Sequence, residues 1–222
     1  MKINKVNAIM IALGVMSSIQ GQTQIQQAGF QLKYNFARHL VVQKNMPAKF
    51  ARSVQNVLAS PGGDLFADYL LNDKWSIRSK LGYEVKGFVG NFTPYLIEEE
   101  SFKFRHISID LNVQRYYGDG GVRFYNFLGV STGYMLSHSI PDLEQSPGDY
   151  SLAKIEYGKF DNYRKFGWGL NVGLGINFDD FIWLELEYNR DISASIETTT
   201  VKEYNLIYGV QFGMNVLSFF RE

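Results

Sequence analysis

Cysteine is absent from all 222 residues, which excludes a disulfide framework and a lipid anchor attached through a cysteine. Net charge is absent too, because 22 Lys and Arg balance 22 Asp and Glu. The chain therefore lacks the basic surplus typical of nucleic-acid binding, and we expect no nucleic-acid partner. What it has in quantity is glycine, with 21 residues, and aromatic residues, at 15%, a composition that favours many strands joined by tight turns.

The N-terminus has the three parts of an export signal. Residues 1–5 carry two lysines, residues 8–15 form an apolar run, and residues 17–21 offer a small-residue exit for cleavage. The run is shorter than the about 20 apolar residues that a transmembrane helix needs. We predict a signal peptide over residues 1–21, a tail over 22–27 and one domain over 28–222; the alternative for the N-terminus is an ordinary buried helix.

The domain alternates apolar and polar residues with period two. In residues 168–178 every even position is apolar and every odd position is Gly or Asn. Period two places successive side chains on opposite faces of a strand. This pattern predicts eight strands, over residues 28–41, 64–71, 74–88, 102–116, 122–136, 165–178, 181–192 and 202–217.

The connections between these strands alternate in length. Short turns are predicted at residues 72–73, 117–121 and 179–180, and the longer connections cover residues 42–63, 89–101, 137–164 and 193–201. An even number of strands with both termini on the short-turn side is typical of bacterial outer-membrane barrels, which have short periplasmic turns and long extracellular loops. The predicted fold is all-β, an eight-stranded antiparallel up-and-down transmembrane β-barrel in the cell outer membrane.

The charged residues predict which face points inward. A charge facing lipid at the bilayer midplane costs about 2–4 kcal/mol for Arg or Lys, so the charged face should line the interior. The interior charges are then Lys33, Asp68, Arg78, Lys80, Glu84, Asp110, Glu185 and Glu187. A barrel of about eight strands is just wide enough for its side chains. We therefore predict a plugged, charge-paired interior and no open pore.

Aromatic residues near strand ends are candidates for the girdles that mark the two membrane interfaces. These are Tyr116, Tyr117, Trp168 and Trp183. The alternative is that they are core aromatics of a soluble barrel.

The long connections are the candidates for binding other proteins. Helical spacing of apolar residues over 48–58 predicts a short amphipathic helix at the rim, with Phe50 and Val54 on its apolar face. The connection over 137–164 is long enough to cap the barrel or to bind a partner, and it presents Tyr150 and Tyr157.

Groups able to support catalysis are sparse. The three histidines are dispersed, with no partner at metal-ligand spacing. His106, Ser108 and Asp110 share one strand face, but successive residues on a face are about 6–7 Å apart, too far for direct hydrogen bonding. Three adjacent acids at 98–100 are interpreted as a solvated loop. We predict no catalytic residues, no cofactor and no metal, and thus no enzyme.

The glycine placement and strand texture resemble the PorT-like outer-membrane β-barrel family of the Bacteroidota. The resemblance rests on residues 104–115, 129–134, 173–175, 184–190 and 208–213, and Ile107-Ser108 stands where that family often has Ile-Pro. An aromatic chain end with Phe212, Phe219 and Phe220 resembles the signal read by the barrel-insertion machinery. The resemblance implies contact with outer-membrane lipid and a structural or accessory role, with envelope or secretion proteins bound through the outer loops.

Two other functions are consistent with parts of the pattern. A soluble periplasmic ligand carrier of the lipocalin kind also has about eight strands, but it needs its apolar face inward. A lipid-modifying barrel enzyme would need polar groups that converge near one rim.

Overall fold

The computed structural model describes residues 25–44, 52–54, 56–90, 100–139, 163–197 and 201–220. These residues form one antiparallel sheet and a short 3₁₀ helix, Leu217–Phe220. The strands are β1 (Ile25–Gln43), β2 (Arg52–Val54), β3 (Leu58–Asn72), β4 (Trp75–Gly90), β5 (Glu100–Tyr117), β6 (Val122–Ser139), β7 (Phe166–Phe178), β8 (Ile182–Asp191), β9 (Ile196–Glu197) and β10 (Val201–Asn215). None of the described segments is a helix long and apolar enough to cross a membrane.

The sheet closes on itself. Each long strand pairs with the next along the chain, and β1 pairs with β10 from Gly29↔Asn215 to Gln43↔Val201. The short strands lengthen the wall at the loop end, since β2 pairs with β1 beyond the end of β3, and β9 pairs with β10 beyond the end of β8. The predicted eight-stranded, antiparallel, up-and-down barrel is confirmed.

The strand whose boundary differs most from the prediction is β3, which begins six residues earlier than the predicted residue 64. Ser60-Pro-Gly-Gly63 has the composition of a loop, yet it continues the ladder, with Tyr34 opposite Pro61. A Cβ atom at Gly62 would lie 3.0 Å from Cγ of Lys33. Glycine is therefore used here because it leaves room for a buried lysine, which composition alone does not reveal.

The predicted amphipathic helix over residues 48–58 is wrong. Residues Arg52–Val54 form β2, and Leu58 already belongs to β3. The pairing of β1 with β3 ends at Ala37↔Leu58, so the next residues of β1 need a new partner for their backbone groups. The pair Leu40↔Val54 begins that partner strand. The local apolar spacing favours a helix, but the unpaired backbone groups of β1 require a partner strand, and the strand forms instead.

The short turns all lie at one end, with both ends of the barrel wall beside them. Asp179 and Asp180 have φ angles of 51° and 56°, the left-handed conformation required in a type I′ hairpin. At the first turn the side chain of Asn72 accepts hydrogen bonds from the backbone N–H groups of Lys74 and Trp75, at 3.0 and 3.1 Å. We call this the turn end and the opposite end the loop end.

The barrel wall has apolar side chains on its outside and polar side chains on its inside, which is the reverse of a soluble protein. On β5 the odd residues from Ile107 to Val113 point outward and are 42–57% exposed, whereas the even residues from His106 to Asn112 are buried. A lipocalin-like carrier, with its apolar face inside, does not fit this arrangement. An apolar outer wall is stable only against lipid or another apolar surface.

The height of the apolar wall matches a bilayer. On the outer face of β5 only apolar residues lie between Arg105 and Arg115. Ten residues of a strand tilted by about 40° rise about 25 Å, the height of the apolar band in outer-membrane barrels. Spanning needs only about 9–11 residues. With 19 residues in β1 and 18 in β6, the wall continues past the membrane at the loop end.

Candidate functional site: the barrel interior

The interior is filled in three tiers. At the turn end lies an aromatic box, in the middle a charge network, and at the loop end an apolar cap. The aromatic box consists of Phe66, Tyr116, Tyr125, Phe127 and Trp183. The charge network consists of Lys33, Asp64, Asp68, Arg78, Lys80, Glu84, Lys86, Glu185, Glu187 and Asp191. The apolar cap consists of Phe88, Phe102, Phe104, Met135, Tyr163 and Ile196.

Arg78 joins the aromatic box to the charge network. Its Nε and Nη2 donate to the two carboxylate oxygens of Asp68, at 2.6 and 2.7 Å, and its Nη1 donates to Glu185. The guanidinium carbon lies 4.6 Å from the ring centroid of Trp183 and 5.1 Å from that of Phe66. A buried guanidinium with bidentate pairing and aromatic faces around it has its charge and its donors satisfied.

Glu185 of β8 accepts hydrogen bonds from side chains of three other strands, β1, β4 and β6. Besides Arg78, it accepts from Tyr125 Oη at 2.8 Å, from Gln31 Nε2 at 2.9 Å and from Lys80 Nζ at 3.0 Å. Arg78 and Lys80 are on β4, which does not pair with β8. The network therefore crosses the lumen and fills its centre with side chains.

The charge network continues toward the loop end through lysines. Lys33 pairs with Asp64 at 2.8 Å, and Lys86 lies 3.2 Å from both Glu84 and Asp191. Asp191 also accepts a hydrogen bond from Asn205 Nδ2 at 2.5 Å. Lys86 of β4 thus links Glu84 of its own strand to Asp191 of β8, and this second pair crosses between strands that are not neighbours in the sheet.

Carboxylates outnumber cations in the described interior. The cations are Lys33, Arg78, Lys80 and Lys86. The carboxylates are Asp64, Asp68, Glu84, Asp110, Glu185, Glu187, Asp191 and Glu203. No described cation lies within 4.0 Å of Asp110, while Glu203 is hydrogen-bonded to His39 at 2.7 Å. The formal charge of the described interior side chains is thus negative, although the whole chain is neutral.

All eight interior charges predicted from the sequence project from the inner face. Seven of them are buried and Glu187 is half-buried. Sequence reasoning omitted Asp64, Lys86, Asp191 and Glu203, which belong to the same interior. Their positions have the same parity as inner residues on their own strands, so strict use of the period-two rule would have found them.

The predicted aromatic girdle is half wrong. Tyr117 and Trp168 lie on the outer wall, 44% and 46% exposed, but Tyr116 and Trp183 are buried in the aromatic box. Trp183 points inward because it is two residues from the inward Glu185, and residues two apart on a strand project from the same face. Position near a strand end is therefore insufficient evidence for a girdle residue, because the face also matters.

Glycines opposite the aromatic box make room for its rings. Gly213 faces Trp183 across β8 and β10, and a Cβ atom there would lie only 2.1 Å from Cε2 of the indole ring. We expect Gly213→Ala to lower the free energy of unfolding by about 1–3 kcal/mol, as overpacking does. Gly133→Ala is the matched control, since its nearest described neighbour would be His106 Cδ2 at 3.6 Å. Urea unfolding in vesicles measures both; equal effects would contradict the steric account.

The loop candidates Phe50, Tyr150 and Tyr157 lie outside the described residues, and Val54 lies on β2.

The row of potential catalytic groups forms no relay. His106 Nδ1 lies 3.0 Å from the backbone oxygen of Phe104, and the buried Oγ of Ser108 has no hydrogen-bond partner among the described residues. The described residues also contain no cluster of three metal-ligating side chains.

A closed barrel with an apolar outer wall and a charged interior defines a small membrane β-barrel. The chain belongs to the family described as outer membrane protein beta-barrel domain, whose model matches residues 59–197. The membership places the protein among the β-barrels of the outer membrane.

Solved structures show similar barrels at low sequence identity. The chain is similar to Ail, the attachment invasion locus protein of Yersinia pestis, with 13% identity over 85% of this chain and 100% of that chain and a TM-score of 0.35. For OprG from Pseudomonas aeruginosa the identity is 13% over 87% and 98%, with a TM-score of 0.43. For the outer membrane enzyme PagL it is 7% over 82% and 99%, with a TM-score of 0.44. No curated protein matches the sequence.

Proposed function

We propose that the protein is a non-conducting outer-membrane barrel with a structural or accessory role in the envelope, and that it acts through its outer loops. The observation that carries the proposal is the fully buried Arg78, held between Asp68 and Glu185 across the lumen. A solute would have to displace this paired guanidinium and the aromatic rings around it. Breaking such a buried pair costs several kcal/mol, so passive diffusion through the centre is disfavoured.

The apolar cap adds a second barrier. Phe88 and Phe102 stack with ring centroids 4.6 Å apart, and His39 lies 4.5 Å from the ring of Phe88. These side chains lie on the loop side of the charge network. An ion that enters from the loop end would have to pass these stacked rings, beside which the buried Glu203 is paired with His39.

The loops are the part of the protein left to contact other molecules. Strands that are longer than the membrane hold the loops away from the lipid surface, which favours contact with envelope or secretion proteins. Phe50, Val54, Tyr150 and Tyr157 are the proposed contact residues. Membership of the PorT-like group in the Bacteroidota, and export through a signal peptide over residues 1–21, are parts of the same proposal.

Conductance measurements test the closed interior. The wild-type barrel in planar lipid bilayers is expected to give no current steps above those of lipid alone, because the charge network blocks the lumen. The double variant Arg78→Ser/Glu185→Ser removes the central block and is expected to give measurable steps. The matched variant Lys44→Ser, at an exposed ion pair, should stay silent. Regular steps from folded wild-type protein would overturn the proposal.

Loop replacement tests the accessory role. A strain lacking the protein is complemented with the wild type or with a barrel whose residues 140–162 are replaced by a short Gly/Ser turn. Boiling-dependent gel migration verifies that each barrel folds. We expect the replaced protein to fold without restoring envelope integrity. Full restoration by the replaced protein would show that this loop is not the functional part.

A further inference from the structure

We propose that the outer wall at the loop end binds phosphate groups of lipid A in the outer leaflet. The site is formed by Arg38 of β1 and Arg190 of β8, on either side of Leu206 of β10. It goes beyond the closed-barrel function proposed above and depends only on the orientation of the barrel, with its loops outside.

Strand register brings the two arginines together. Leu206 pairs with Arg38 on one side and with Arg190 on the other, so the three side chains project from one face of three adjacent strands. Two strand spacings place the two arginine backbones about 10 Å apart. Leu206 is only 7% exposed, although it points outward, because the neighbouring side chains cover it.

Arg38 is held in place on the wall. Its Nη2 donates to Tyr208 Oη at 3.0 Å, and its guanidinium carbon lies 5.2 Å from the Tyr208 ring centroid. The Tyr208 ring packs against Tyr188, with centroids 5.1 Å apart. The Nε of Arg38 is shielded from solvent and has no hydrogen-bond partner among the described residues. The side chain is thus oriented while at least one of its donors stays unsatisfied.

The positive charge of this region is not neutralised by the described residues. No described carboxylate lies within 4.0 Å of Arg38 or Arg190 in an ion pair. On the same side of the rim, Lys44, Arg164 and Lys202 each form an ion pair with Glu197, with Lys202 Nζ at 2.9 Å. The hydrogen bond from Lys202 lowers the pKa of Glu197 to about 2, so this carboxylate is already ionised at neutral pH. Arg38 and Arg190, in contrast, have no ion-pair partner among the described residues.

The depth of the site identifies the anion. An arginine that faces lipid costs about 2–4 kcal/mol at the midplane but about 0–1 kcal/mol near an interface. On β10 the outward residues toward the turn end are Tyr208, Val210 and Phe212, and toward the loop end Tyr204 is followed by Lys202. The two arginines thus lie where the outer face of β10 changes from apolar to charged, although Leu40 and Ile192 beyond them are apolar. Lipid phosphates lie at this level, and guanidinium groups bind phosphate through bidentate hydrogen bonds. The outer leaflet carries lipid A, whose phosphorylated sugar backbone fits two guanidiniums.

Native mass spectrometry of the full-length barrel tests the site. The probes are bisphosphorylated lipid A, the same lipid A after enzymatic removal of phosphate, and phosphatidylglycerol, each added to the folded protein in detergent micelles. The test variant is Arg38→Gln/Arg190→Gln. The matched control is Lys74→Gln/Arg115→Gln, which removes the same charge from two exposed side chains at the turn end, where Arg115 also lies over aromatic rings.

We expect the wild type and the turn-end control to retain lipid A alike, and the test variant to lose about tenfold in affinity, as charge-assisted hydrogen bonds predict. Lipid A without phosphate should bind the wild type as weakly as intact lipid A binds the test variant. Equal binding of phosphorylated and dephosphorylated lipid, equal loss in the turn-end control, or equal retention of phosphatidylglycerol would each overturn the proposal. Gel migration before and after boiling verifies that every variant is folded, and conductance should be unchanged.

Discussion

Arg78→Ala is expected to lower the free energy of unfolding by about 3–5 kcal/mol, the cost of breaking a buried ion pair from one side. The substitution leaves the buried Asp68 with no ion-pair partner among the described residues, and it leaves Glu185 with Lys80 as its remaining described cation. It also removes the guanidinium from the faces of Trp183 and Phe66. Urea unfolding of the barrel in lipid vesicles, followed by tryptophan fluorescence, measures the effect.

Lys44→Ala is the matched control, because Lys44 forms an ion pair of 3.4 Å with Glu197 at the exposed rim. Exposed pairs contribute about 0–1 kcal/mol, so this variant should unfold near the wild-type urea concentration. If both variants unfolded together, the interior network would contribute no more than a surface pair.

A triple variant separates electrostatics from packing. In Arg78→Met/Asp68→Asn/Glu185→Gln the unpaired charges are gone while the volume is largely kept, and replacing a whole buried ionic group is often close to neutral. We expect most of the stability lost in Arg78→Ala to return. A triple variant as unstable as the single one would assign the loss to the contacts of the guanidinium with the aromatic box.

The fold was largely predictable because the alternation of apolar and polar residues along a barrel strand shows which side chains face inward. The period-two pattern placed seven of the eight long strands within a few residues of their observed ends. The eighth, β3, was shortened because Ser60-Pro-Gly-Gly63 has loop composition. Gly62 has a tertiary cause, the space taken by Lys33, and β2 also has a tertiary cause, the part of β1 that β3 leaves unpaired. Neither cause is local in sequence.

The sequence predicts which residues lie in the interior, but it does not predict which of them form ion pairs. Parity assigns Arg78 and Glu185 to the lumen, but their contact joins β4 to β8 across the barrel and depends on register and closure. The same limit applies to the proposed lipid site. Arg38, Arg190 and Leu206 are dispersed along the chain, and only the pairing of three strands makes them neighbours.

Leu111→Arg is expected to lower the free energy of unfolding in vesicles by about 2–4 kcal/mol. Leu111 points outward near the middle of β5, between Arg105 and Arg115, so the new guanidinium would face the hydrocarbon core. The prediction holds only if the exposed apolar face of this wall meets lipid. Reversible urea unfolding in vesicles gives the free energy directly.

Leu71→Arg is the matched control, since Leu71 also points outward but lies beside the turn at Asn72. At that interface the same substitution should cost about 0–1 kcal/mol. Both variants replace leucine with arginine, so subtracting their changes in the free energy of unfolding removes the intrinsic effect of the substitution. The remaining difference measures the effect of depth in the membrane. If both variants cost the same, the apolar wall would not be a membrane surface. A large cost at Leu111 alone would show that the bilayer, and not a soluble partner, covers the middle of the wall.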